Sequence, residues 1–360
     1  MPISAVDAIS PAFRHTKQQL LQPFRFVEWA KLALVGLLAG ELSSGGCSSP
    51  NFQMPTHAGG PHRFLSLGLP AANPFLFAAM IAVLVVAGLV LLVLLMYVSS
   101  VMRFVLFDSV IAKQCEIARG WNRRQRPGLQ YFLWQLLFSF VVLAVPIILI
   151  GIPAGLAFAA GWLKHGREHI ILLVLGGIVL FFLFLGWMLL CVVVKVLTKD
   201  FVVPQMALED IGAIEAWRRL LKMIESEKGG YAGYLGMKIV MALGAAMILA
   251  IIATIIIVIL LIPVGGIGVI AVLLGKSAGL TWNLYTISLT VILGTIAIVS
   301  IVYLVAFISV PATVFFPAYS IYFFAARYPV LSNLLYPPPA PMGIPAAEAG
   351  PLPPLPGPIF

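Results

Sequence analysis

Ser99–Tyr131 reads SSVMRFVLFDSVIAKQCEIARGWNRRQRPGLQY and is wedged between two long apolar runs. The chain leaves the first run at Arg103 and carries a short apolar-faced segment. It then gathers Arg119, Arg123, Arg124 and Arg126, and re-enters an apolar run at Tyr131. A second copy of this plan occupies Thr198–Tyr234, and a fainter one opens the chain. The pattern is that of an all-α integral membrane protein, a bundle of repeated helical hairpins.

Composition agrees. Of 360 residues, 61% are hydrophobic and only 10% charged, and the mean hydropathy is +1.07. Soluble domains run nearer half apolar and a quarter charged. The net charge of +9 is spread over loops and not set in a stripe, which excludes a nucleic-acid footprint and fits the positive-inside rule. Cys47, Cys115 and Cys191 are odd in number and far apart, so no disulfide framework is implied.

Working outward, six spans are expected. Ser10-Pro11 reads as the start of an interfacial helix with Phe13, Leu20, Leu21 and Phe24 on one face. Val27–Leu42 is a short first span, and Ser43–Asn73 is a loop rich in Gly, Pro, Ser and Asn. Pro74–Met102 is the cleanest span, since Phe75–Val98 carries no charge. Phe104–Trp121 follows as a second interfacial helix, with Gly120 as its C-cap. The third span, Tyr131–Leu163, is interrupted at Pro146 and at Gly151–Gly155, and Lys164–His169 leads to the fourth, Ile170–Leu197. A third amphipathic helix sets Ile214, Trp217, Leu220, Leu221 and Ile224 against Glu215, Arg218, Arg219, Lys222 and Glu225. The fifth span, Tyr231–Ile262, closes at Pro263–Gly268. The sixth lies within Trp282–Ala326, where Pro311 and Pro317 either kink it or split off an interfacial tail. From Pro329 the chain is proline-rich and extended.

One membrane domain, 1–328, thus divides into hairpin units of roughly 8–102, 103–198 and 199–328, each preceded by a cytoplasmic interfacial helix, with a disordered tail at 329–360. Counting Lys and Arg in the alternate connections gives fifteen against four. That asymmetry places both termini and the amphipathic helices in the cytoplasm of a cell membrane.

Reaction chemistry is not readable. The spans hold few ionisable groups, and Glu41, Lys195 and Lys238 lie near their ends. Gln135, Ser139, Thr254, Thr286, Thr290, Thr295 and Ser300 are polar positions inside spans, where hydroxyls commonly serve helix packing. Gly275-Lys276-Ser277 lacks the glycine a phosphate loop needs at Ile270. The five histidines show no metal spacing, so no catalytic, cofactor or metal residue is assigned. The remaining candidates are basic: Arg119, Arg123, Arg124, Arg126, Arg218, Arg219 and Lys222, as contacts to an anionic lipid surface. The plainer reading of the same charges is that they only set topology.

The segments TKQQLLQPF (Thr16–Phe24), VEWAKLALVGLLAG (Val27–Gly40), RFVLFD (Arg103–Asp108), FVVPQM (Phe201–Met206) and AIEAWRRLL (Ala213–Leu221) resemble a family of uncharacterised bacterial multi-pass membrane proteins. That family looks related to the membrane domain ahead of some glycerophosphodiester phosphodiesterases, and the likeness spans about residues 5–328. The resemblance implies membrane architecture and no activity: His62-Arg63 is followed by Phe64, not by the glycine of the phosphodiesterase motif. The expected role is therefore structural or interacting, non-enzymatic, with membrane lipids as partners. The alternative is a transporter or lipid-handling protein with a site between the hairpins.

Overall fold

The computed structural model describes residues 4–41, 74–162, 170–277 and 284–336. The expected loop at 43–73, the 164–169 connection and most of the proline-rich tail lie outside them.

Among the described residues every regular element is helical. Two short helices, α1 (Ile9–Leu21) and α2 (Phe26–Leu38), precede the long α3 (Pro74–Ala112), α4 (Ile117–Ala159) and α5 (Ile170–Leu197). A π turn, Thr198–Val202, joins α5 to α6 (Val203–Glu209), and α7 (Ala213–Ser226) leads into α8 (Lys228–Ser277). Then come α9 (Leu284–Ile308), α10 (Val310–Ala325) and α11 (Pro329–Leu335).

Among the described residues five stretches are long and apolar enough to cross a bilayer: Ala78–Ala112, Ile117–Ala159, Ile170–Glu209, Lys228–Leu260 and Ser288–Ile308. They give the chain the architecture of a multi-pass membrane protein. Their most apolar windows are at most 6% covered by the rest of the chain. The spans splay apart and leave their side chains to lipid. Burial is concentrated at one end, where the helices run past the apolar zone. α3 alone is 39 residues, about 58 Å at about 1.5 Å per residue, against a hydrocarbon core of about 30 Å.

That packed end is built around Phe201, which meets Tyr231, Tyr234, Phe323 and Phe324 at centroid distances of 5.0–6.0 Å. Phe104, Met206, Tyr319, Leu220 and Leu331 fill the space around it, all fully buried.

Several boundaries differ from the sequence expectation. The first span shrinks to α2, 13 residues and about 20 Å, too short to cross. Phe104–Trp121 is not a separate helix. α3 runs unbroken to Ala112, the chain turns at Lys113 (φ 55°), and α4 starts at Ile117. Nothing before Ala112 breaks the helix, so the turn comes where a residue can take the left-handed conformation. Gly120 is accordingly no cap. A Cβ there would stand 3.2 Å from both Val105 methyls, so the glycine lets α4 lie close against α3.

The proline and glycine interruptions are absorbed as well. Within the apolar zone α4 continues through Pro146 and Pro153, and the α8 backbone continues past Pro263–Gly268 to Ser277. In hydrocarbon no water competes for the freed carbonyls, so one lost donor does not end the helix. Near the C-terminus the chain does split, at Ser309, with Pro311 at the start of α10. α10 is no surface tail. Eleven of its sixteen residues are buried, packed against α1 and α2.

Candidate functional site

The membrane–water boundary can be located from the residues themselves. Apolar runs end at Arg103 on α3, at Lys195 on α5 and, in the reverse direction, at Lys238 on α8. Aromatic rings collect at the same level, as they do at bilayer surfaces. Tyr97 meets Trp121 and Phe132 edge-on, and Trp134 stacks on Phe138 at 5.2 Å.

A charged layer lies just inside this belt. The π turn is closed by the Val203 N–H donating to the Thr198 carbonyl. It sits where Lys199 and Asp200 both take part in the packed interior. Lys199 donates to Glu41, and Asp200 accepts from Lys238 and, at 2.9 Å, from the Tyr234 hydroxyl. Arg103 donates to the Tyr131 hydroxyl at 2.8 Å and to the Ala39 carbonyl at 2.9 Å, while its Nε is buried without a partner. A cavity of about 20 Å³ sits between Glu41, Arg103, Lys199, Asp200 and Ser320. Buried charges are tolerated only when paired and hydrogen-bonded. This cluster joins α2, α3, α4, the π turn and α8 into one unit.

The seven basic residues expected at a lipid surface divide into three groups. Arg124 faces inward, its side chain 6% exposed, with two bonds to Asp108 and one to the Ala207 carbonyl. It corrects the expectation: Asp108 stands sixteen residues upstream and draws it off the surface. Arg119, Arg218 and Arg219 are exposed but matched by Glu116, Glu215 and, for Arg219, also Glu209. Arg123, Arg126 and Lys222 are exposed and have no acidic partner among the described residues. Sequence reading put all seven in one class because a charge run does not say which side chain turns in.

α7 gives the site its shape. Ala213, Ala216 and Leu220 are buried against the core, while Ile214 and Leu221 stand 71% and 51% exposed. At 100° per residue these two fall on one ridge, flanked by Trp217 on one side and by Arg218 and Lys222 on the other. Trp217 stacks on Trp134 of α4 at 6.3 Å, which fixes α7 at the level of the belt. The expected stripe of Ile214, Trp217, Leu220, Leu221 and Ile224 is thus shared between the core and the outside. α1 behaves alike: Ala12, His15, Thr16 and Leu20 face in. Phe13, Leu21 and Phe24, expected as its apolar face, are 55–63% exposed.

Elsewhere the chemistry is quiet. No group of three His, Cys, Asp or Glu among the described residues can hold a metal, and His57, His62, His165 and His169 lie outside them. Thr290, Thr295 and Ser300 donate back to carbonyls four residues earlier on α9. Cys115 is buried, and desolvation pushes its thiol pKa up, as in an inert cysteine.

A Family of unknown function (DUF7544) matches residues 3–334. The chain belongs to this family. The match covers α1 through α10 and all but the last residue of α11, so the splayed spans, the charged layer and the amphipathic α1 and α7 all lie inside the family's region. It carries no link to the phosphodiesterase-associated membrane domain. No curated protein and no solved structure matches the chain.

Proposed function

We propose that the chain is a non-enzymatic membrane protein that holds a basic face against anionic lipid headgroups, with α7 lying in the bilayer surface. The observation that carries this reading is the α7 ridge. Ile214 and Leu221 point away from the core at the depth of Trp134, with Arg218 and Lys222 beside them. An interfacial helix inserts its apolar face at the acyl boundary and sets its cations at the phosphates, each contributing about 1 kcal/mol near an anionic leaflet. Arg123, Arg126 and Lys222 supply charge that forms no ion pair among the described residues. The positive-inside rule makes this face cytoplasmic.

The hairpin repeat belongs to the same reading. Phe104 meets Tyr131 edge-on at 5.9 Å and 86°, and Phe201 meets Tyr231 edge-on at 5.3 Å and 83°, which supports treating the two units as copies. Kinship with the phosphodiesterase-associated membrane domain would add that such modules accompany catalysis and do not perform it. Transport finds less support. Gln135 is bonded to Ser100, while Ser139 on α4 and Thr290, Thr295 and Ser300 on α9 are exposed, the last three bonded back to their own helix.

The test is native mass spectrometry of protein released from nanodiscs holding equal phosphatidylglycerol and phosphatidylcholine. The wild type should retain phosphatidylglycerol by about fivefold over phosphatidylcholine. Replacing Arg123, Arg126, Arg218 and Lys222 together by Gln should lower that preference to about twofold. A wild type with no preference overturns the reading.

A further inference from the structure

Beyond the α2 C-terminus, α2, α3 and α4 leave a groove of about 470 Å³. Leu38 closes it at the basic end, Leu92 and Met96 form its wall, and Ser99 and Gln135 give it a polar end. At the far end is Gly88, where an added Cβ would meet nothing within 4 Å. From Gly88 to Ser99, α3 rises about 16 Å, which is one leaflet of a hydrocarbon core about 30 Å thick. The wall is half open to the bilayer, Leu91, Leu92 and Leu95 being 58%, 53% and 52% exposed. At the polar end, the Ser100 hydroxyl proton is shared between the Met96 carbonyl at 2.8 Å and Gln135 Oε1 at 3.1 Å, and the Gln135 amide N–H groups remain as donors. One turn beyond Ser99, Arg103 bridges the same two neighbours, α2 through Ala39 and α4 through Tyr131. No carboxylate forms an ion pair with Arg103 among the described residues. The groove is thus apolar along one leaflet, lined with donors at its head, and capped by the charged layer in which Arg103, Lys199 and Lys238 face two carboxylates, Glu41 and Asp200.

We infer that this groove seats one acyl chain of an anionic phospholipid, with the glycerol-ester end at Ser99 and Gln135 and the headgroup on the basic side. The inference deepens the lipid reading above and rests on it. It adds a defined site to a general surface attraction. An acyl chain seated there gains van der Waals packing along the leucine wall, and its ester carbonyls accept from the Gln135 amide.

The experiment uses the full chain in nanodiscs carrying a phosphatidylglycerol with a mid-chain diazirine, photolysed and mapped by peptide mass spectrometry. Labelling of Leu91–Met96 should exceed that of the equally exposed Phe182 and Leu189 on α5 by about fivefold. Gly88→Phe, which fills the groove without touching the packed core, should remove the excess. Gln135→Leu should lower the preference for this probe over its phosphatidylcholine analogue. Labelling equal to that of α5, or unchanged by Gly88→Phe, overturns the site. So does a groove cross-linked to the chain's own residues 42–73. The Gln variant at Arg123, Arg126, Arg218 and Lys222 separates the two readings: it should lower bulk enrichment while groove labelling persists.

Discussion

Arg124 and Asp108 form a two-bond fork, Nε to Oδ2 and Nη2 to Oδ1, both 2.7 Å, across the turn that joins α3 to α4. The same guanidinium reaches the Ala207 carbonyl at 2.6 Å and so ties this turn to α6. Breaking a buried pair by removing one partner costs about 3–5 kcal/mol. Asp108 is 29% exposed, so screening brings the expected loss to about half of that. Asp108→Asn should therefore lower stability by about 2 kcal/mol in chemical denaturation, and Arg123→Gln, one position away, by less than about 0.5 kcal/mol. Equal effects of the two would remove Arg124 from its structural role.

Gly36 on α2 allows contact with α10 that no other residue permits. A Cβ there would stand 2.5 Å from Thr313 Cγ2. Gly36→Ala should destabilise the fold by about 1–3 kcal/mol through overpacking. Thr313→Ser deletes the offending methyl and keeps the hydroxyl that donates to the Ser309 carbonyl. The double variant should recover most of the loss. Additive losses would show that α2 and α10 do not meet there.

His15 links three elements: its Nε2 donates to the Val110 carbonyl at 2.8 Å, and Nδ1 accepts from the Tyr322 hydroxyl at 3.2 Å. Desolvation holds its pKa below 6.5, and nearby Lys113 adds to the lowering. The unfolded chain binds the proton more readily, so stability is full above pH 6.5 and falls as pH drops from there through the lowered folded value. A thermal-unfolding series in detergent between about pH 8 and about pH 5 should show this decline in the wild type and not in His15→Gln. Identical slopes would exclude His15 as the source.

Topology needs reporters other than the native cysteines. Cys115 is 1% exposed, so its silence toward an impermeant maleimide reports burial and not sidedness. Arg123→Cys and Lys222→Cys in a cysteine-free background place thiols on the exposed basic face. Both should be protected in intact cells and labelled after permeabilisation. Labelling of both in intact cells would invert the orientation.

The spans were legible because hydrocarbon demands long uninterrupted apolar runs, and Phe75–Val98 meets that demand without help from the rest of the chain. Helix continuity through Pro153 was not legible, since proline breaks helices in water for a reason that weakens in lipid. The charged layer was half legible. Glu41 and Lys238 stand out as charges near span ends, but Glu41 finds Lys199 across 158 residues, and no local pattern announces such a partner. The π turn that accompanies Lys199 and Asp200 has no local signal either. Among the arginines, Arg124 differs from Arg123 only by one step of 100° around α4, which points one at Asp108 and the other outward.

α10, buried between α1 and the rest of the packed end, fixes an order of events in biosynthesis. His15 and Tyr322 are 307 residues apart, so at about 5–20 residues per second α1 waits roughly 15–60 s for the helix it packs against. The membrane hairpins between them enter the bilayer first, and the packed end can close only when α10 emerges. A chain truncated before Val310 would keep all five apolar spans yet lack the helix that closes its core.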